Sequence, residues 1–277
     1  MALSERQKRQ IAGAVAEVDD AQIAIWREMP TARRAQLALS MIHAGERVGT
    51  YRLRLRQPGM SQAQALFHIR KAPFNWNEVK DMADEKKDFD DFTRTVIDAL
   101  EEAEIDYLIG GAVGLWAWGE PRTTADFDVV IDLPTERIVA LSEALRKRDF
   151  LVPPDVILDL LLSPADLPVN ANHMATGLKA EMFLLKSGDE LRYSALHRRM
   201  LADMGPPLGE VYVHSPEDLI LYKVLYYSLS QQTKHIRDIS SIVKTIGDDL
   251  EIDYIRRWVA HLNLEEVWQD VWEQLEK

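Results

Sequence analysis

The stretch Tyr107–Leu133, YLIGGAVGLWAWGEPRTTADFDVVIDL, decides the fold. Tyr107 to Ile109 is short and apolar and predicts a buried strand. Gly110 and Gly111 let the chain turn sharply and bring its backbone close to a ligand. Ala112 to Trp118 predicts a short helix, so the glycine pair sits at its N-terminus, where free N–H groups and the helix dipole favour a phosphate. Asp126 to Asp132, rich in Val and Ile, predicts a second strand. Side chains alternate along a strand, so Asp126 and Asp128 share a face. Two carboxylates that close repel unless a cation lies between them, and a hard divalent ion suits an all-oxygen site.

In this order, the Gly-Gly turn, the Asp-x-Asp strand and a later carboxylate resemble the nucleotidyltransferase superfamily that includes DNA polymerase β. The closest resemblance is to bacterial proteins related to the AbiEii toxins, which carry a Gly-Gly, a Gly-x-Pro-Arg-x-Thr and an Asp-x-Asp. Here these are Gly110-Gly111, Gly119-Glu120-Pro121-Arg122-Thr123-Thr124 and Asp126-Phe127-Asp128. Ala112 stands where many relatives have Ser, and Trp118 where many have His. The resemblance implies an α+β fold, a minimal nucleotidyltransferase mixed β-sheet with flanking helices, with further helical regions at both ends.

The same resemblance places the third carboxylate on the second strand of a hairpin. Residues 169–174 and 178–185 predict that hairpin, with its turn at Thr176-Gly177. The matching run is Lys179-Ala180-Glu181. Glu181 reads either as a metal ligand or as a surface partner of Lys179 or Arg192. The implied chemistry is two-metal phosphoryl transfer from a nucleoside triphosphate, with Mg2+ or Mn2+ held by Asp126, Asp128 and Glu181. The carboxylate oxygens should then come near enough to share one ion. Gly110 and Gly111 would cradle the phosphates, with Arg122 and Thr124 also on the nucleotide. Lys223, in the run Ser215-Pro216-Glu217-Asp218-Leu219-Ile220-Leu221-Tyr222-Lys223, reads either as a phosphate contact or as a surface Lys snorkelling past core leucines. Arg237-Asp238 reads as a structural ion pair.

The remaining chain sets limits. It has 277 residues, 47% hydrophobic, and no cysteine, which excludes disulfides and thiolate metal sites and fits a reducing cytoplasm. No apolar run is long enough to span a membrane, and the N-terminus lacks the apolar core of a signal peptide. Residues 1–72 hold 12 of the 33 Lys/Arg and 6 of the 45 Asp/Glu. A basic N-terminal piece thus precedes an acidic body, which reads as internal charge complementarity or as a contact for RNA. No Walker loop or Gly-x-Gly-x-x-Gly is present.

Along the chain, residues 1–72 read as an N-terminal helical region and 73–88 as a linker, whose Trp76 could dock on either neighbour. Residues 89–200 form the nucleotidyltransferase core and 201–277 a C-terminal strand and helical region. Leu37, Met41, Ala44, Val48, Tyr51 and Leu55 form an apolar stripe on a helix capped at Thr31 and stopped at Pro58-Gly59. Phe150 to Val152 predicts a short strand. The function expected is transfer of a nucleotide to an RNA or protein acceptor, with a cognate toxin or antitoxin as possible partner. The rival is a non-catalytic binding or antitoxin-like protein that kept the fold. Ala112 and Glu181 favour the rival; the Asp-x-Asp and Arg122 oppose it.

Overall fold

The computed structural model describes residues 3–73 and 88–276. Of the expected linker, residues 74–87, Trp76 among them, lie outside the described residues. The fold is α+β, with 13 α-helices and one six-stranded mixed sheet among the described residues. The strands are β1 (Asp106–Ile109), β2 (Asp126–Asp132), β3 (Val169–Asn172), β4 (Lys179–Leu184), β5 (Met200–Asp203) and β6 (Glu210–Val213), ordered β3-β4-β2-β1-β6-β5. β2 runs antiparallel to β1 and parallel to β4, while β6 runs parallel to β1. The expected hairpin is present, with Val169 opposite Met182 and Asn172 opposite Lys179. The strand expected at Phe150–Val152 is not; Phe150 makes a single bridge to His173. Chain direction explains this, since the next residues turn through Pro153 into the helix Pro154–Leu162.

Alternation along the strands gives the sheet two dissimilar faces. Tyr107, Ile109, Phe127, Val129 and Ile131 pack into one core with the helix Phe89–Glu102. That helix buries Phe89, Phe92, Val96, Ile97 and Leu100, at the three- and four-residue spacing its sequence predicts. Leu108 and Val130 point the other way, into a second core built from the C-terminal helices Pro216–Ser230, Lys234–Ile246, Ile252–His261 and Glu265–Leu275. Ser215 starts the first of these, its hydroxyl accepting from the Asp218 N–H at 3.1 Å with Pro216 following, as the Ser-Pro-Glu-Asp run predicts. The N-terminal helix Glu5–Ala16 joins this second core through Ile11, Ala14 and Val15.

The long helix Thr31–Arg56 presents a different face from the one expected. Arg34, Ala35, Ala38, Leu39 and Ile42 are buried, whereas Val48, Tyr51 and Leu55 are 50%, 64% and 63% exposed. Its first half lies against the short helix Gly111–Trp118, where small side chains permit close approach and Arg34 donates to the Ala117 carbonyl at 2.6 Å. Among the described residues, the second half has no such neighbour along its Val48–Leu55 edge, so apolar periodicity alone could not locate the contact. Thr31 is the first helical residue and gives no side-chain cap; Pro30 precedes it. Ser61 caps the helix Gln62–Ile69 in a reciprocal box with Gln64. Gly49 leaves room for Ile69, which a Cβ would meet at 3.0 Å.

This face assignment is measurable. Ile42→Ala is expected to lose about 2–5 kcal/mol in urea unfolding, and Tyr51→Ser to change stability by less than about 0.5 kcal/mol. Equal effects would mean that the helix is rotated relative to this description.

Candidate active site

Four strands bring four separate segments to one end of the sheet. Asp128 pairs in register with Glu181 on β4. Its own carbonyl accepts from the Gly110 N–H at 2.9 Å. Ile109 pairs with Val213, so Gly110 and His214 follow side by side. Glu181, Asp128, Gly110 and His214 therefore form a row across β4, β2, β1 and β6. Asp126 and Lys179, also in register, lie two residues nearer the sheet edge. Five of these six, all but Lys179, line a cleft of about 250 Å3, covered by the helices that carry Lys223 and His235.

Gly111 is the tightest point. It has φ +58°, a left-handed conformation that favours glycine, and a Cβ there would fall inside the Asp128 carboxylate. The sequence reading gave this glycine to phosphate approach; its geometry also admits Asp128 against the start of the helix. Burial pushes the Asp128 carboxyl up to about 6, and Glu181 and Asp126 add to the shift against the pull of Lys223 and Arg122. Thr124 holds the entry to β2, with its hydroxyl donating to the Asp126 carbonyl at 3.0 Å.

The cations of the cleft are organised by one buried carboxylate. Asp238, 2% exposed, receives both Nε and Nη2 of Arg122, at 2.9 and 3.0 Å, and Lys223 Nζ at 2.7 Å. Burial opposes its charge, yet Lys223 and Arg122 hold Asp238 below the usual carboxylate range. Burial pulls the Lys223 ammonium down while Asp238 pulls it up. Lys223 is 3% exposed, so the surface-snorkelling alternative does not hold. The partner of Arg237 is Glu120 rather than Asp238, with Nη2 to Oε1 at 2.9 Å.

Sequence reasoning missed an aromatic wall. The rings of His214 and Tyr222 lie 4.9 Å apart, Tyr222 and Tyr226 6.2 Å, and Tyr226 and His235 6.0 Å. Burial pushes His214 down to about 3 and His235 down to about 4, with Lys223 adding to both, so both imidazoles are neutral near pH 7. His214 Nδ1 is buried without a hydrogen-bond partner. The i, i+4 spacing of Tyr222 and Tyr226 beside Lys223 was a usable signal, because it sets all three toward one side of a helix. His214 gave none. Trp118 donates its indole N–H to the His214 carbonyl at 2.7 Å and fixes that end of β6.

Every residue singled out for the site, Gly110, Gly111, Arg122, Thr124, Asp126, Asp128, Glu181 and Lys223, lines the one cleft. The three carboxylates suit a hard divalent ion by their donor type, and burial first, then the neighbouring Glu181 and Asp126, raises the Asp128 pKa. They do not crowd onto a single point, however. Lys179 donates to Glu181 and lies 3.6 Å from Asp126 Oδ1, as the alternative reading of Glu181 expected. Among the described residues, the three-residue group whose ligand atoms all fall within 4.8 Å of one another is His43, Asp88 and Asp90, outside this cleft.

Two measurements test this geometry. Gly111→Ala is expected to destabilise by at least about 1–2 kcal/mol, and adding Asp128→Ala should recover part of the loss in a double-mutant cycle. Additive effects would separate the two residues. In ion-free buffer, the Asp128 pKa is higher folded than its ordinary 3.8, so its ionisation weakens the fold as pH rises toward about 6. Asp128→Asn should match the wild type below about pH 4 and gain on it up to about pH 6, then hold a constant lead. A pH-independent difference in urea midpoints would refute the shift.

No protein-family model matches the chain, and no curated protein matches it in sequence. Solved structures do. The crystal structure of ANT(2'')-Ia in complex with adenylyl-2''-tobramycin aligns at 17% identity with a TM-score of 0.45, over 62% of this chain and 97% of that one. The solution structure of the antibiotic-resistance factor ANT(2'')-Ia aligns at 17% identity and 0.41, over 61% and 92%. An antigenic nucleotidyltransferase-like protein from Paracoccidioides brasiliensis aligns at 21% identity and 0.42, over 67% and 91%.

Proposed function

We propose that this protein is a nucleotidyltransferase, moving a nucleotide from a nucleoside triphosphate to a hydroxyl of RNA or of a protein with the help of Mg2+ or Mn2+. The observation that carries the reading is the row Glu181–Asp128–Gly110, which sets an acidic cluster directly beside a glycine-opened helix N-terminus. An anion cradle and a cation cradle side by side suit a metal-bound triphosphate.

In this reading Asp126, Asp128 and Glu181 hold the divalent ion, and the Gly111 N–H at the helix N-terminus takes a phosphate oxygen, while Gly110, its own N–H held by the Asp128 carbonyl, carries no side chain to block the approach. A bound ion supplies positive charge that offsets charge on the transferring phosphoryl group. Arg122 and Lys223, fixed by Asp238, add positive potential on the opposite wall. Glu181 would also help activate the acceptor hydroxyl. Arg47, Arg52, Arg54 and Arg56 lie exposed on the helix Thr31–Arg56 and favour RNA as acceptor, through phosphate contacts. A cytoplasmic location and a cognate toxin or antitoxin partner, as in AbiEii-related systems, complete the proposal.

One observation favours a second reading. If the Lys179–Glu181 pair is permanent, the acidic cluster is already neutralised in part, and the protein binds a nucleotide or a partner without turnover. Incubation with each labelled nucleoside triphosphate and Mg2+ or Mn2+, with cellular RNA and lysate proteins as acceptors, separates the two. Label transfer that is lost in Asp126→Asn and Asp128→Asn supports transfer. Nucleotide binding without transfer under all these conditions supports the second reading, and neither binding nor transfer rejects both.

A further inference from the structure

We infer that Lys179 is a displaceable internal counter-ion, which keeps divalent ions out of the acidic cluster until a nucleoside triphosphate arrives to take over its charge. The inference rests on the proposed metal role of Asp126, Asp128 and Glu181.

The strand register creates the arrangement. β2 and β4 run parallel with Asp126 opposite Lys179 and Asp128 opposite Glu181. Alternation then sends all four side chains to one face, three acids and one base at the corners of a square. The ammonium bonds to Glu181 and lies 3.6 Å from Asp126 Oδ1, within reach of two of the three carboxylates. Three of the cations that line the cleft are committed. Arg122 and Lys223 hold Asp238, and Arg192 holds Asp166 and Asp189 at 3.0 and 2.8 Å. Lys179 is the cation that faces the acids from their own sheet.

Its chemistry makes it removable. Lysine is a compact point charge on four flexible methylenes, and its side chain is 32% exposed, so it can swing out with no change in the strand. Burial opposes its charge, but Glu181 and Asp126 more than offset this and keep the ammonium protonated. A divalent ion entering alone would have to evict this ammonium and then sit beside it, cation against cation. A triphosphate changes the balance, because its oxygens give the displaced ammonium a new anionic partner while ligating the ion. Ion and nucleotide therefore assist each other's binding, and by linkage the assistance is mutual. The same lysine relieves repulsion among the three carboxylates while the cleft is empty.

The test measures Mn2+ binding by electron paramagnetic resonance, with and without a non-hydrolysable triphosphate analogue. The wild type, Lys179→Met and the charge-preserving Lys179→Arg are compared, with circular dichroism to verify folding. Lys179→Met is expected to bind Mn2+ alone roughly tenfold more tightly than the wild type, and to gain much less from added nucleotide. Lys179→Arg should stay close to the wild type. If Lys179→Met is misfolded, Lys179→Gln carries the same expectation. Equal Mn2+ affinity and equal nucleotide enhancement in all folded variants overturn the counter-ion while leaving the metal reading intact. Absence of Mn2+ binding in every variant, nucleotide included, overturns the metal reading and this inference with it.

Discussion

The buried carboxylate of Asp238 is the constraint on which the cleft depends. It lies on the helix Lys234–Ile246, yet its partners come from elsewhere: Arg122 from the loop before β2 and Lys223 from the helix Pro216–Ser230. Removing water from three charges is expensive, and breaking such a set by deleting one member strands the others. The fold therefore cannot let these helices drift from the sheet without exposing or orphaning charge. Arg122 is also gripped by its backbone, since its carbonyl accepts from the Trp116 indole at 3.0 Å. Loop, sheet end and both helices are fastened at one point, and the aromatic wall stands on the same helices.

Strand alternation does the rest. It gives one face of β2 to Phe127, Val129 and Ile131, which fill the core against the helix Phe89–Glu102. The other face goes to Asp126, Asp128 and Val130. The acids thus emerge on the side that the C-terminal helices cover, at the strand end where those helices leave a gap. The cleft is neither an added pocket nor a loop decoration; it is the place where an amphiphilic strand runs out of apolar partners. This also explains why burial and like charge act together on Asp128.

Much of this was legible in the chain. The strand–glycine–helix–strand order of Tyr107–Leu133 follows from local signals, and period-two alternation placed Asp126 and Asp128 on one face. The hairpin followed from Thr176-Gly177, whereas the expectation that Glu181 would join Asp128 came from the family resemblance. Pairing across distant segments was not legible. Nothing near Asp238 says that its partner is Arg122 rather than the adjacent Arg237, because ion pairing depends on a fold-level distance. The helix Thr31–Arg56 shows the same limit: its sequence offers two overlapping apolar faces, and the tertiary neighbour selected the one with alanines. Phe150 had the composition of a strand but lay too close to a proline turn to extend a ladder.

The sheet order β3-β4-β2-β1-β6-β5 also has a temporal side. The cleft needs Gly110, Asp128, Glu181, His214, Lys223 and Asp238, and those residues are dealt out between positions 110 and 238 of the 277-residue chain. A chain emerging from the ribosome makes them in that order, so Arg122 waits for Asp238 through the synthesis of β2 to β6. Such long-range closures come late in folding. The last of them, Asp238, becomes available only when the C-terminal helices are being made. An acidic cluster with its cationic wall missing has neither its shape nor its potential. A chain that has not yet made Asp238 thus lacks the anchor that fixes both cations of the wall.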